Sequence, residues 1–232
     1  MVSRSVVSEE DFVSNPTARV PVCLCLDISG SMAGDPIKEL NSGVKLFYDS
    51  IQEDDMARFS AEICIVTFGG DNVAECIRDF STLSENEEPP VLYAIGRTPL
   101  GEAVNMALDL LDNRKKDFKS SGIDYYQPWL VLMTDGAPNG AKDELDEATK
   151  RVQDLVKKKK LVVFPIGIGS EADKKSLSKL SPDREPLKLI GLNFREFFTW
   201  LSKSVGTTSR STPGDVVEID FASIRGWGTL FN

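Results

Sequence analysis

The chain contains no histidine. That absence removes His general bases, Ser-His-Asp and Cys-His nucleophiles, and His-ligated zinc or iron. Any metal must then be held by oxygen or sulfur. Positive charge is also scarce: 27 Lys and Arg face 36 Asp and Glu, for a formal net charge of −9. An acidic chain is poorly suited to nucleic acid or an anionic membrane surface, both of which attract basic proteins. No apolar run approaches the roughly 20 residues of a membrane span, and the opening MVSRSVVSEEDF lacks the apolar core of a signal peptide. The expected compartment is therefore cytoplasmic. There is no CxxC and no GxxxxGK[ST] phosphate loop. Of the four cysteines, Cys23, Cys25 and Cys64 sit inside apolar runs, where Cys behaves as a small hydrophobe. Cys23 and Cys25, two apart on one strand face, cannot pair with each other without distorting it.

What is present is enough for one large domain: 232 residues, 41% of them hydrophobic. Residues 1–19 are polar without a period and read as an N-terminal arm. The fold begins at Val22-Cys23-Leu24-Cys25-Leu26, a continuous apolar run closed by Asp27, as expected of a strand covered on both faces. Ile37, Leu40, Val44, Phe47, Tyr48 and Ile51 recur at helical spacing behind Pro36, which a first helical turn accepts. Ala61 to Phe68 predicts a second strand, and the Gly69-Gly70-Asp71-Asn72 turn predicts a hairpin partner over Val73 to Ile77. Further strands are predicted at Trp129 to Met133, Leu161 to Ile168 and, as a short edge, Leu187 to Ile190. Helices are predicted from Pro99, over Asp143 to Lys159, over Lys174 to Leu180, and from Asn193, where Glu196 completes a capping-box pattern.

Strands alternating with helices imply an α/β fold: a doubly wound, mostly parallel central sheet with one antiparallel edge strand and helices on both faces. The domain is expected over residues 20–206. Beyond it the Gly/Ser/Thr/Pro stretch GTTSRSTPGD opens a C-terminal tail, 207–232, too short for a core of its own. Trp227 and Phe231 in that tail are unfavourable in water unless they dock, either on their own domain or on a partner.

Two strands end in aspartate, at Leu26-Asp27 and at Met133-Thr134-Asp135. In a parallel sheet both carboxylates emerge at the same edge, a natural place for a cation, although Asp also follows strands as a turn former. Asp27-Ile28-Ser29-Gly30-Ser31 adds alternating oxygen side chains on a loop that Gly30 relaxes. Arg97-Thr98-Pro99-Leu100-Gly101 adds a hydroxyl at a helix start, where it could equally serve as an N-cap.

DxSxS, then a loop threonine, then a strand-ending TDG resembles the von Willebrand factor A domain. The segments that carry the resemblance are CLCLDISGSM, GRTPLGEAV and LVLMTDGAPN, together with the strand VVFPIGIG, and it covers roughly residues 20 to 205. Among members the chain is most similar to the stand-alone bacterial proteins of the TerY and YegL type, for which tellurite and general stress responses have been proposed. The resemblance implies that Ser29 and Ser31 bind a divalent cation directly, that Thr98 does so in the ligand-competent state, and that Asp27 and Asp135 act largely through water. Mg²⁺ is the expected ion, with Mn²⁺ and Ca²⁺ next, because small hard cations prefer octahedral oxygen and keep replaceable waters. The implied function is a metal-ion-dependent, adhesion-type module in which the Asp or Glu of a partner protein completes the metal shell.

An alternative is a structural domain whose metal only braces the loops. A metal-assisted phosphatase of the aspartyl-phosphate type would need a second Asp two residues after the first, where this chain has Ser29. Gly167-Ile168-Gly169-Ser170-Glu171-Ala172 imitates a dinucleotide fingerprint, but it follows the wrong strand for one. The chain is therefore expected not to be an enzyme.

Overall fold

The structure is a computed structural model that describes residues 15–70, 73–214, 224 and 226–231. Among the described residues seven strands form one sheet in the order β3-β2-β1-β4-β5-β6-β7: β1 Val20–Asp27, β2 Ala61–Phe68, β3 Ala74–Ser81, β4 Trp129–Thr134, β5 Val162–Ile168, β6 Leu187–Leu189 and β7 Gly228–Leu230. The helices are α1 Asp35–Glu53, the single turn α2 Ala57–Ser60, α3 Leu100–Ser120, α4 Lys142–Lys157, α5 Lys174–Lys179 and α6 Phe194–Ser209.

Strand alternation divides the interior in two. Val22, Leu24 and Leu26 of β1 face one core, in which Leu40, Val44, Phe47 and Ile51 of α1 meet Phe197, Phe198 and Leu201 of α6. Cys23 and Cys25 face the other, filled by Val104, Leu108 and Leu111 of α3 and Val152 of α4. The two thiols thus share one strand face, and all four cysteines are free. Each β1 side chain points opposite to its neighbours, so an unbroken apolar run is what a strand packed on both faces needs.

Strands β1, β2, β4, β5 and β6 are mutually parallel, and β3 lies antiparallel on β2 as the expected edge strand. At the other edge the structure departs from expectation. β7, from the segment read as tail, pairs antiparallel with β6, so Leu187–Leu189 is covered rather than an edge. The apolar content of the last residues explains this: Trp227 is 8% exposed and packs 5.9 Å from Trp200 and 6.0 Å from Phe197, ring centre to ring centre. The chain between α6 and Ile224, from residue 215 to 223, lies outside the described residues, as do residues 1–14 of the arm.

Two smaller expectations also change. Asn193 stands before α6 without a side-chain capping bond, so the Asn193/Glu196 box does not form, and β3 runs on to Ser81. At the N-terminal end of the sheet, Arg114 of α3 grips both oxygens of Glu62 at 2.6 and 2.7 Å, and Arg19 faces the same carboxylate at 3.3 Å, all nearly buried. Among the described residues no helix is long and apolar enough to cross a membrane.

Candidate metal centre

The chain leaves β1 toward β2 on one side, then crosses by α3 to β4 on the other. The connections on either side of β1 therefore diverge beyond its carboxyl end, opening the crevice in which open α/β sheets bind ligands. Asp27 ends β1 there. Register pairs Leu26 with Met133, which brings Asp27 beside Thr134.

Four of the five candidate oxygens form a continuous chain. The Ser29 N–H donates to Asp27 Oδ1 at 2.8 Å, Ser29 Oγ lies 3.0 Å from Ser31 Oγ, and Ser31 Oγ donates to Asp135 Oδ1 at 2.8 Å. Burial grades along it, from Asp27 at 0% and Ser29 at 2% exposure to an exposed Ser31. The group is thus a shallow mouth with a buried floor. Thr98 comes from a separate loop, is 5% exposed, and has its Oγ1 against Gly136 rather than hydrogen-bonded into the oxygen chain. Because α3 starts at Leu100 with Pro99 in the capping position, the Thr98 hydroxyl is not needed as a cap.

The electrostatics of this mouth are unbalanced. Burial pushes the Asp27 carboxyl up to about 6, the neighbouring Asp135 pushes the same way, and hydrogen bonds from Ser29 and Thr134 oppose them. Among the described residues no Lys or Arg pairs with Asp27 or Asp135. Buried carboxylates are normally paired or coordinate a metal. The donor set of two hydroxyls, two carboxylates and a nearby third hydroxyl is all hard oxygen, which fits a small dication such as Mg²⁺.

Three supports of this site were not singled out in the sequence. Thr134 Oγ1 donates to Asp27 Oδ2 at 2.6 Å, so both carboxylate oxygens are held. Asn139 clasps the Thr98 backbone from both sides: its Oδ1 accepts from Thr98 N–H at 2.7 Å, and its own N–H donates to Thr98 C=O at 3.1 Å. Gly96 (φ +84°) lies against Gly70, where a Cβ would fall 2.5 Å from the Gly70 carbonyl oxygen. Its carbonyl accepts from the Gly30 N–H at 3.1 Å, tying the Thr98 loop to the DxSxS loop. Thr134 could have been suspected, because a residue next to a strand-ending Asp faces the neighbouring strand end. Asn139 and Gly96 act across loops and leave no local signal.

An open α/β sheet with clustered hydroxyls and carboxylates at its switch point defines a class. Residues 22–190 match the von Willebrand factor type A domain, and the chain belongs to that family. Comparison with curated protein sequences finds no match. Among solved structures it is similar to a von Willebrand factor type A protein from Catenulispora acidiphila, with TM-score 0.62 and 17% identity over 82% of this chain and 43% of that one. The SpaC pilus adhesin of Lactobacillus rhamnosus GG, in its open conformation, has TM-score 0.63 and 15% identity over 83% of this chain and 30% of that one. Proximal thread matrix protein 1 of the mussel byssus, with a zinc-occupied MIDAS motif, has TM-score 0.53 and 16% identity over 82% of this chain and 48% of that one. At these identities the likeness is one of fold, and the chain spans less than half the length of each.

Proposed function

We propose that the chain is a metal-ion-dependent protein-binding module, not an enzyme, which uses a divalent cation held by Asp27, Ser29, Ser31, Thr98 and Asp135 to grip an acidic side chain of a partner protein. The observation that carries this reading is the chain of oxygens from Asp27 to Asp135 at the switch point, with no cation among the described side chains to balance its carboxylates. Ser29 and Ser31 would hold the ion directly, and Asp27 and Asp135 would orient its waters. Bound there, the ion supplies an electrophilic position that a carboxylate can fill. Neutral hydroxyls leave most of the dication's charge uncancelled, which favours an anionic ligand from outside.

The surroundings suit a protein surface. Val91, Tyr93 and Ile95 are 64%, 74% and 51% exposed on the loop that leads to Thr98, and Ile95 bonds through its N–H to the Ile28 carbonyl at 2.7 Å, one residue from Ser29. An apolar ridge beside a charged centre gives a partner both burial and orientation. Zinc at the motif of the mussel protein supports occupancy by a dication, while an all-oxygen set favours Mg²⁺ here. A cytoplasmic setting rests on the sequence reading alone. A role in stress or tellurite resistance rests on the sequence resemblance alone.

The test is calorimetry with Mg²⁺ on the wild type and on Asp27→Ala, paired with affinity capture from the native cell in Mg²⁺ and in EDTA. Mg²⁺ should bind only the wild type, and the captured partner should be lost with EDTA. Thr98→Ala should keep the ion and weaken the partner. Equal partner recovery with and without EDTA would reject the reading in favour of a bracing metal.

A further inference from the structure

The second concentration of ligand atoms lies on the other side of β1, where β2 meets the edge strand β3. Cys64 of β2 is fully buried, and its Sγ lies 4.0 Å from the Sγ of Cys76 on β3. The Asp79 carboxylate joins them, so that one ligand atom from each residue lies within 4.8 Å of the others. Cys23 of β1 is the direct lateral neighbour of Cys64 in the sheet.

A regular strand would not produce this. Residues 76 and 79 are an odd number apart and would point to opposite faces. The β2–β3 ladder instead carries two irregularities: Arg78 and Cys76 oppose the successive residues Ile65 and Val66, and the three steps from Ser81 to Arg78 oppose only two from Ile63 to Ile65. Their effect is visible in Arg78, which stacks 5.8 Å over the Tyr48 ring in the α1 core, while Cys76, two residues earlier, packs into the α3 core. Bulges of this kind re-aim side chains. Here they turn Cys76 and Asp79 to the side of Cys64.

We propose that Cys64, Cys76 and Asp79 form a second metal site, for a thiophilic dication of the Zn²⁺ class, which pins the edge strand to the sheet. Zinc takes two thiolates and a carboxylate readily, and with Zn–S bonds of about 2.3 Å the sulfurs of a tetrahedral site stand roughly 3.8 Å apart. The observed 4.0 Å is close to that edge and well beyond the ~2.05 Å of a disulfide bond. Cys76 and Asp79 are half-buried on an edge strand, so the ion has a way in and a solvent molecule can take the fourth position. The site shares no ligand with the oxygen centre and does not depend on the proposed function.

The experiment uses the full chain, reduced and stripped of metal, titrated with Cd²⁺ in excess Mg²⁺ so that the oxygen centre is already served. One equivalent should bind with a thiolate-to-cadmium charge-transfer band in the ultraviolet. Cys76→Ser should diminish the band, and Asp79→Asn, a milder change that keeps both thiols, should weaken Cd²⁺ at least roughly tenfold while keeping the band at saturation. Asp27→Ala should leave band and affinity unchanged. The proposal is overturned if no band appears, if Cys76→Ser leaves it undiminished, if Asp79→Asn binds Cd²⁺ as tightly as the wild type, or if Asp27→Ala abolishes it. A Cys64–Cys76 disulfide that forms in air, with no Cd²⁺ bound by the reduced chain, would replace it with a redox pair.

Discussion

Thr134 donates its hydroxyl hydrogen to Asp27 Oδ2 at 2.6 Å, across the seam between β4 and β1. The bond fixes the one fully buried carboxylate of the candidate centre from the strand that also delivers Asp135. Thr134→Val keeps the shape and removes the donor. Mg²⁺ affinity should fall about 10- to 100-fold, the usual cost of losing a group that orients a metal-site side chain. Calorimetry measures it, and an unchanged affinity would mean that Ser29 N–H alone holds Asp27.

The raised Asp27 carboxyl makes the metal-free fold pH-dependent. With its ordinary value near 3.8 and its folded value about 6, the folded state holds the proton more tightly than the unfolded one. The stabilisation is complete below pH 3.8 and lost as pH rises through 6, a swing of about 3 kcal/mol. Asp27→Asn lacks this loss. In EDTA its stability advantage over the wild type should grow between pH 4 and 7, and added Mg²⁺ should raise the melting temperature of the wild type alone. Denaturant melts of both proteins at several pH values read it, and a constant difference would contradict it.

Far from that centre, Arg114→Ala should destabilise the fold by about 3 kcal/mol, because it strands the buried Glu62 carboxylate. Arg19, 3.3 Å from Glu62, keeps the cost at the low end of the usual range. Mg²⁺ affinity, normalised to folded protein, should not change. Urea unfolding and calorimetry separate the two effects.

Trp227→Ala should cost about 3 kcal/mol, the typical penalty for emptying a buried aromatic site, because its ring closes the cluster of Trp200 and Phe197. Loss of this anchor should also release β7, raising amide exchange at Leu187–Leu189. Wild-type stability after the substitution would mean that the terminal strand docks without its tryptophan.

Strand and helix positions were legible along the sequence because hydrophobic period is a local property: Val22–Leu26 without alternation needs two covered faces, and Leu40, Val44, Phe47 and Ile51 need one. The order DxSxS, Thr, TDG was legible for the same reason, since each segment carries its own oxygen atoms, and parallel topology alone sends Asp27 and Asp135 to one edge. Tertiary structure decided what depends on partners distant in the chain. Asn139 clasps Thr98 and Gly96 approaches Gly70 only because separate loops meet. Gly228–Leu230 became a strand because β6 offered an unpaired edge beside the docked Trp227; the local sequence signals that Trp227 must dock, and only the tertiary structure decides where. Cys76 and Asp79 turned toward Cys64 because the β2–β3 ladder slips twice, and register is set by the pairing of two strands, not by the residues of either one.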